Sequence, residues 1–144
     1  MRILKAEPKD LQYLAYQSEA KLCGNPNIPP LMQTRKEIES EFDKGIFLKA
    51  TEQKGSIIAS VRAYSDQDTL FIGKLIVHPD AQGQGIGTKL LQEIERMCPH
   101  KRYELFTSTK SKRNIRLYER LGYIPFKEQD KGDNLRFIYL CKTI

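Results

Sequence analysis

The stretch Leu75-Ile76-Val77-His78-Pro79-Asp80-Ala81-Gln82-Gly83-Gln84-Gly85-Ile86-Gly87-Thr88-Lys89-Leu90-Leu91 decides how this chain is read. An apolar run stops at Pro79, which has no N–H to give to a ladder. Glycines then stand at three alternate positions, and Ile86, Leu90, Leu91, Ile94 and Met97 follow at the spacing of one helix face. Glycines at a strand-to-helix junction let the backbone come close to a ligand and leave N–H groups aimed at it. The positive end of the helix dipole adds to those donors, and the sum is a site for a pyrophosphate. A tight turn that binds nothing is the plainer reading. Three alternating glycines weaken a helix start, which argues against it.

Upstream, residues 70–77 are apolar on both faces, as suits a strand in the middle of a sheet. Residues 46–50 and 57–64 read as strands joined at Lys54-Gly55, and residues 65–68 turn the chain into the third. Thr34 with Glu37 forms a capping box for a helix carrying Ile38 and Phe42 inward. Pro26, Pro29 and Pro30 make residues 25–30 a loop. Before it, residues 3–6 read as a short strand, and Glu7 or Pro8 opens a helix that buries Leu11, Leu14, Ala15 and Leu22 and ends at Gly24. Downstream, residues 103–107 form a strand. Ser111 caps a helix carrying Ile115, Leu117 and Leu121, with Gly122 where a positive φ is wanted. Residues 123–126 and 135–140 close the chain as a hairpin. The order is βαα, a three-strand meander, then βαβ elements. It predicts an α/β (mixed α+β) fold in one domain over residues 1–144.

Which phosphate ligand the turn takes is narrowed by what it lacks. A nucleotide P-loop needs GxxxxGK[ST], but Lys89 follows Gly87 by two positions and precedes Leu90. A dinucleotide fingerprint needs GxGxxG, whereas residues 83–87 read GxGxG; Glu104 stands where the ribose-binding acid of such a fold would be expected.

The run Gln82-Gly83-Gln84-Gly85-Ile86-Gly87 resembles the Q/R-x-x-G-x-G/A motif of the GNAT superfamily of N-acetyltransferases. Further on, Asn114-Ile115-Arg116-Leu117-Tyr118-Glu119-Arg120-Leu121-Gly122-Tyr123 is similar to the second motif of that family. The likeness in element order covers nearly the whole chain. It implies a central mixed, mostly antiparallel sheet flanked by about four helices, with a splayed strand pair that takes acetyl-coenzyme A as cosubstrate. By the same resemblance, Leu75 and Val77 offer backbone groups to the pantetheine arm, and the N–H groups of Gln82, Gly83, Gln84, Gly85, Ile86, Gly87 and Thr88 cradle the pyrophosphate. Asn114 lies near the coenzyme, and Tyr118 stands beside its sulfur as general acid. A phenol suits that task, because a departing thiolate gains from a donated proton. The reaction implied is direct acetyl transfer to an amine, on a small molecule in preference to a protein. A non-catalytic acyl-coenzyme A binding module is the rival, and a nucleotide-binding domain a weaker one. Some family members carry a glutamate on the central strand, but residues 71–74 supply none. Glu104, Asp66 and Glu19 qualify as base by residue type alone. The acceptor is expected against residues 25–30, the helix after them, and residues 129–134.

Composition bounds the rest. The 144 residues are 40% hydrophobic and 29% charged, which is globular. No apolar run reaches the roughly 18 residues a spanning helix needs, and no leader or membrane anchor is read at the start. A net charge of +6 attracts polyanions, although no nucleic-acid motif accompanies it. Lys110, Lys112, Arg113 and Arg116 read as an ordinary solvated face, with the coenzyme 3′-phosphate as the alternative. Cys23, Cys98 and Cys141 fit neither a disulfide frame nor a zinc site, and His78 and His100 are the only histidines, so no metal is expected. The setting expected is a reducing cytoplasm.

Overall fold

A computed structural model of the chain describes residues 1–10, 40, 43 and 45–144. Among the described residues seven strands make one sheet: β1 (Arg2–Lys5), β2 (Ile46–Thr51), β3 (Ile57–Asp66), β4 (Thr69–Val77), β5 (Arg102–Ser108), β6 (Ile124–Gly132) and β7 (Leu135–Thr143). Their spatial order is β1-β2-β3-β4-β5-β7-β6. Every neighbouring pair is antiparallel except β4 with β5, which is parallel. The helices among the described residues are α1 (Ile86–Met97), which crosses from β4 to β5, and α2 (Lys112–Arg120). Pro8–Asp10 forms a 3-10 turn where the first helix was expected to open. The rest of that helix, the proline-rich residues 25–30 and most of the helix after Thr34 lie outside the described residues, and with them two of the four expected helices.

The meander follows the alternation of its side chains. Leu48 and Ala50, Ala59, Val61 and Ala63, and Leu70 and Ile72 point to one face and are buried against Ile86, Leu90, Leu91 and Ile94 of α1. Alanines at the middle of that face let the helix sit close. Leu90, Leu91 and Ile94 have no exposed surface, and each contributes on the order of 2 kcal/mol by burial. From the other side of α1, Leu117 and Tyr118 of α2 join the same core.

The last hairpin differs from expectation. Strand β6 runs on to Gly132, with Gln129 opposite Phe137 and Gly132 opposite Leu135, so most of the loop expected at residues 129–134 is strand. The turn is only Asp133-Asn134, whose φ values of 51° and 62° suit the two-residue turn that matches strand twist.

One irregularity shapes the centre of the sheet. Strands β3 and β4 pair as Arg62 with Gly73, then as Ser60 with Ile76, so Lys74 and Leu75 together oppose Val61. Such a bulge bends a strand and adds twist. It also changes the facing of residues along β4: Ile72 faces the core before it, and Leu75 and Val77 after it. On the other edge, the β4–β5 ladder ends at Ile72 with Leu105, although β4 continues to Val77 and β5 to Ser108. The two strands splay from that point.

Candidate functional site

The splay leaves backbone groups turned toward a gap. His78 N–H donates to the Ile58 carbonyl at 2.8 Å, so Ile76 two residues earlier also faces β3. Leu75 and Val77 therefore turn their N–H and C=O groups toward the gap. In agreement, the Gln82 side-chain amide donates to the Val77 carbonyl from that side at 3.3 Å.

At the end of the gap, Pro79–Ala81 makes a 3-10 turn capped by the His78 ring, which accepts from the Asp80 N–H at 3.1 Å. That assigns His78 to the turn. Gly83 and Gly85 follow with φ of 81° and 78°, a conformation few other residues adopt without strain. A Cβ added to either would meet nothing within 4 Å, so the turn has an open side. Gly87 acts differently. A Cβ there would lie 3.1 Å from Leu117 and 3.5 Å from Leu75, so its lack of a side chain lets α1 close on α2 and β4. The first N–H groups of α1 have no earlier turn to bond, and they join those of the glycine turn.

These parts surround a cavity of about 430 Å³. Leu75, Val77, Gln82, Gly83, Gly85, Ile86, Gly87, Thr88 and Asn114 all line it. Of the expected residues two do not. Gln84 lines a neighbouring hollow with His78 and Lys89. Tyr118 lies in the core, its ring 6.2 Å from that of Tyr123, and burial pushes its phenol pKa above the ordinary value. Behind it, the Tyr123 hydroxyl donates to Glu95 at 2.8 Å, and Lys142 donates to the other oxygen of Glu95 at 2.7 Å.

Arg113 and Arg116, read in the sequence as a solvated face with the coenzyme 3′-phosphate as the alternative, border the cavity together with Arg120, and among the described residues no carboxylate does. Arg113 donates to the Gln82 side chain at 2.7 Å, spanning from α2 to the loop. Lys110 and Lys112 do not border it. The spacing of 113, 116 and 120 was the available signal, since residues three and four apart share a helix face. Glu104 lies elsewhere, on the opposite face of the sheet and paired with Arg102 at 2.5 Å, so it is not placed as the ribose-binding acid of a dinucleotide site would be. Of the other possible bases, Asp66 is exposed at the end of β3, and Glu19 lies outside the described residues. Among the described residues no group of His, Cys, Asp or Glu is placed to hold a metal, and no helix is long and apolar enough to cross a membrane.

A splayed strand pair, a glycine turn at a helix start and three arginines thus meet at one cavity. The Acetyltransferase (GNAT) family matches residues 13–123, and the chain belongs to that family. Two curated relatives are each 27% identical to it. One is the UPF0157 protein YqkA of Bacillus subtilis (strain 168), matched over 78% of this chain and 32% of its own length. The other is the protein named "Uncharacterized N-acetyltransferase ycf52" of Gracilaria tenuistipitata var. liui, matched over 72% of this chain and 57% of its own. The chain thus spans about a third of one relative and somewhat over half of the other. Among solved structures, a phosphinothricin acetyltransferase from Sinorhizobium meliloti in complex with AcCoA has the same fold, with a TM-score of 0.82 at 15% identity over 99% of this chain and 88% of that one.

Proposed function

We propose that this chain is a single N-acetyltransferase domain over residues 1–144 that moves an acetyl group from acetyl-coenzyme A to an amine by direct transfer. The observation that carries the reading is the convergence of the β4–β5 gap, the open-sided turn at Gly83 and Gly85, and three arginines on one cavity. The residues fit the coenzyme in kind. Turn N–H groups and guanidinium groups suit phosphates, and the backbone groups that Leu75 and Val77 turn toward the gap suit a chain of amides.

When bound, the coenzyme supplies a thioester whose carbonyl carbon accepts the amine lone pair, and whose sulfur leaves with the electrons of the C–S bond. The protein's part is to hold that bond at the splay and to move protons. The amine reacts neutral, its ammonium proton having passed to water. Tyr118, one turn beyond Asn114 on α2, gives its proton to the leaving sulfur, and the proton that the nitrogen loses as the amide forms restores the phenol through water. Burial raises its pKa and so keeps the phenol in the protonated form that a general acid needs. The acceptor is a small-molecule amine in preference to a protein amine, and the reaction takes place in the cytoplasm, with Cys98 and Cys141 as free thiols.

The burial of Tyr118 outside the cavity lining favours a second reading, a domain that binds acyl-coenzyme A without turning it over. Thiol release from acetyl-coenzyme A in the presence of a panel of primary amines separates the two. Amine-dependent release above the rate of hydrolysis supports transfer, whereas tight coenzyme binding without release supports the binding module.

A further inference from the structure

The face of the sheet opposite α1 carries a second cavity, of about 590 Å³, that reaches the same gap. Because Leu70, Ile72, Tyr103 and Leu105 point into the core, the alternate side chains Phe71, Glu104 and Phe106 point to this other face. Tyr64 of β3 and Tyr139 of β7 complete an aromatic lining. The Tyr64 and Phe71 rings stack at 5.2 Å, and Phe106 lies 5.3 Å from Tyr139. Tyr64 is 53% exposed and Phe106 40%, large apolar surfaces to leave open beside a cavity.

Two further residues give the cavity a direction. Gly73 is the first β4 residue past the end of the β4–β5 ladder; its φ is not left-handed, and an added Cβ would meet nothing within 4 Å. Among the described residues nothing crowds that position, which stands where the β3–β4 bulge begins. A glycine in mid-strand marks a bulge or a place where a ligand or another backbone comes close, and the open space beside Gly73 leaves room for the second. Glu104 brings the carboxylate. Its Oε1 accepts from Arg102, and its Oε2 accepts no hydrogen bond among the described residues. Arg62 also borders the cavity, with its guanidinium over the Phe47 ring at 4.9 Å.

The geometry points to this cavity as the acceptor pocket, shaped for a primary amine joined by a short chain to a flat aromatic group. Aromatic faces with one carboxylate are a pairing that holds an ammonium together with a planar apolar body. The volume suits a small molecule rather than an extended chain. Gly73 leaves room beside the gap, where the amine nitrogen enters. The inference rests on the acetyl-transfer reading, and its test separates the two.

Protein saturated with coenzyme A is titrated by calorimetry with 2-phenylethylamine, hexylamine, spermidine, 2-phenylethanol and a short peptide with a free N-terminus. The expected result is that 2-phenylethylamine binds at least tenfold more tightly than any of the others. Glu104→Gln is expected to weaken it about tenfold and to leave 2-phenylethanol unchanged. Gly73→Val is expected to weaken both aromatic ligands tenfold or more, Gly73→Ala less, with coenzyme affinity intact in each as the control for folding. Tightest binding of spermidine or the peptide, or indifference of 2-phenylethylamine to Gly73→Val, overturns the inference. If 2-phenylethylamine binds as expected but no amine releases thiol, acetyl transfer fails and the pocket stands. Release with spermidine or the peptide alone has the reverse meaning.

Discussion

At the scale of single residues, the glycine turn and Tyr118 carry the sharpest expectations. Gly85 sits at φ 78° with open space where a side chain would project. Gly85→Val places a β-branched residue in a conformation it resists and fills the open side, and coenzyme affinity should fall more than tenfold. Gly85→Asn, which tolerates that φ, keeps the backbone and isolates the steric part; normal calorimetric binding in both variants would move the pyrophosphate elsewhere. Tyr118→Phe removes a hydroxyl and almost no volume. Transfer should slow by roughly 10²–10⁴-fold at unchanged coenzyme affinity, and less so with acyl donors whose thiol leaves more readily. A uniform slowing across donors would indicate mispositioning instead. The glycine turn could be read from the sequence because a positive φ at Gly83 and Gly85 depends on a short local spacing. The sequence did not show that Tyr118 is a core residue and Asn114 a lining one. Four positions apart they share a helix face, and how far that face is buried depends on Tyr123 and the sheet beneath it.

At the scale of elements, α2 lays a row of positive charge along the cavity. Replacing Arg113, Arg116 or Arg120 with Gln should weaken coenzyme binding by roughly fivefold each, as expected for partly exposed ion pairs. Each change should also lessen the loss of affinity as salt is raised. Lys110→Gln, away from the cavity, is the control, and titrations at two ionic strengths read the result. Equal effects at all four positions would mean only a diffuse surface charge. This row was obscure in sequence because a basic run on a polar helix looks the same whether it faces solvent or a ligand. The bulge at Lys74 and Leu75 was obscure for another reason. A strand apolar on both faces gives no alternation whose change of phase could be seen. The meander, α1 and the closing hairpin could be read, since their periods of two and near four are written directly in the order of residues. Burial contributed by four separated strands could not, and so Tyr64, Phe71, Phe106 and Tyr139 gave no sign that they share one cavity.

At the scale of the whole molecule, Glu95 ties the C-terminal part of α1 to the far strands through Tyr123 and Lys142. The Glu95–Lys142 pair is largely shielded, at 16% and 21% exposure. Glu95→Ala leaves a partly buried ammonium with the Leu121 carbonyl alone and takes the acceptor from the Tyr123 hydroxyl, and should lower stability by about 1–2 kcal/mol in urea unfolding. The tyrosines add a pH dependence. Burial raises the pKa of both Tyr118 and Tyr123, while in the unfolded chain a tyrosine ionises near pH 10. Their contribution is therefore complete below about pH 10 and is lost as the pH rises beyond it. Urea midpoints should fall above that pH, and fall less in a Tyr118→Phe/Tyr123→Phe variant. The splay itself has a consequence in time. Between Gly73 and Val77 the edge of β4 toward β5 has no partner strand among the described residues. Amide hydrogens of Leu75 and Val77 should exchange with deuterium within seconds to minutes in the free protein and at least tenfold more slowly once the coenzyme lies in the gap. The amides of Leu70 and Ile72, deeper in the sheet, should be slow throughout. On the proposed reading the substrate would then finish the fold, and the last part of the sheet to become rigid would be the part where the acetyl group is handed over.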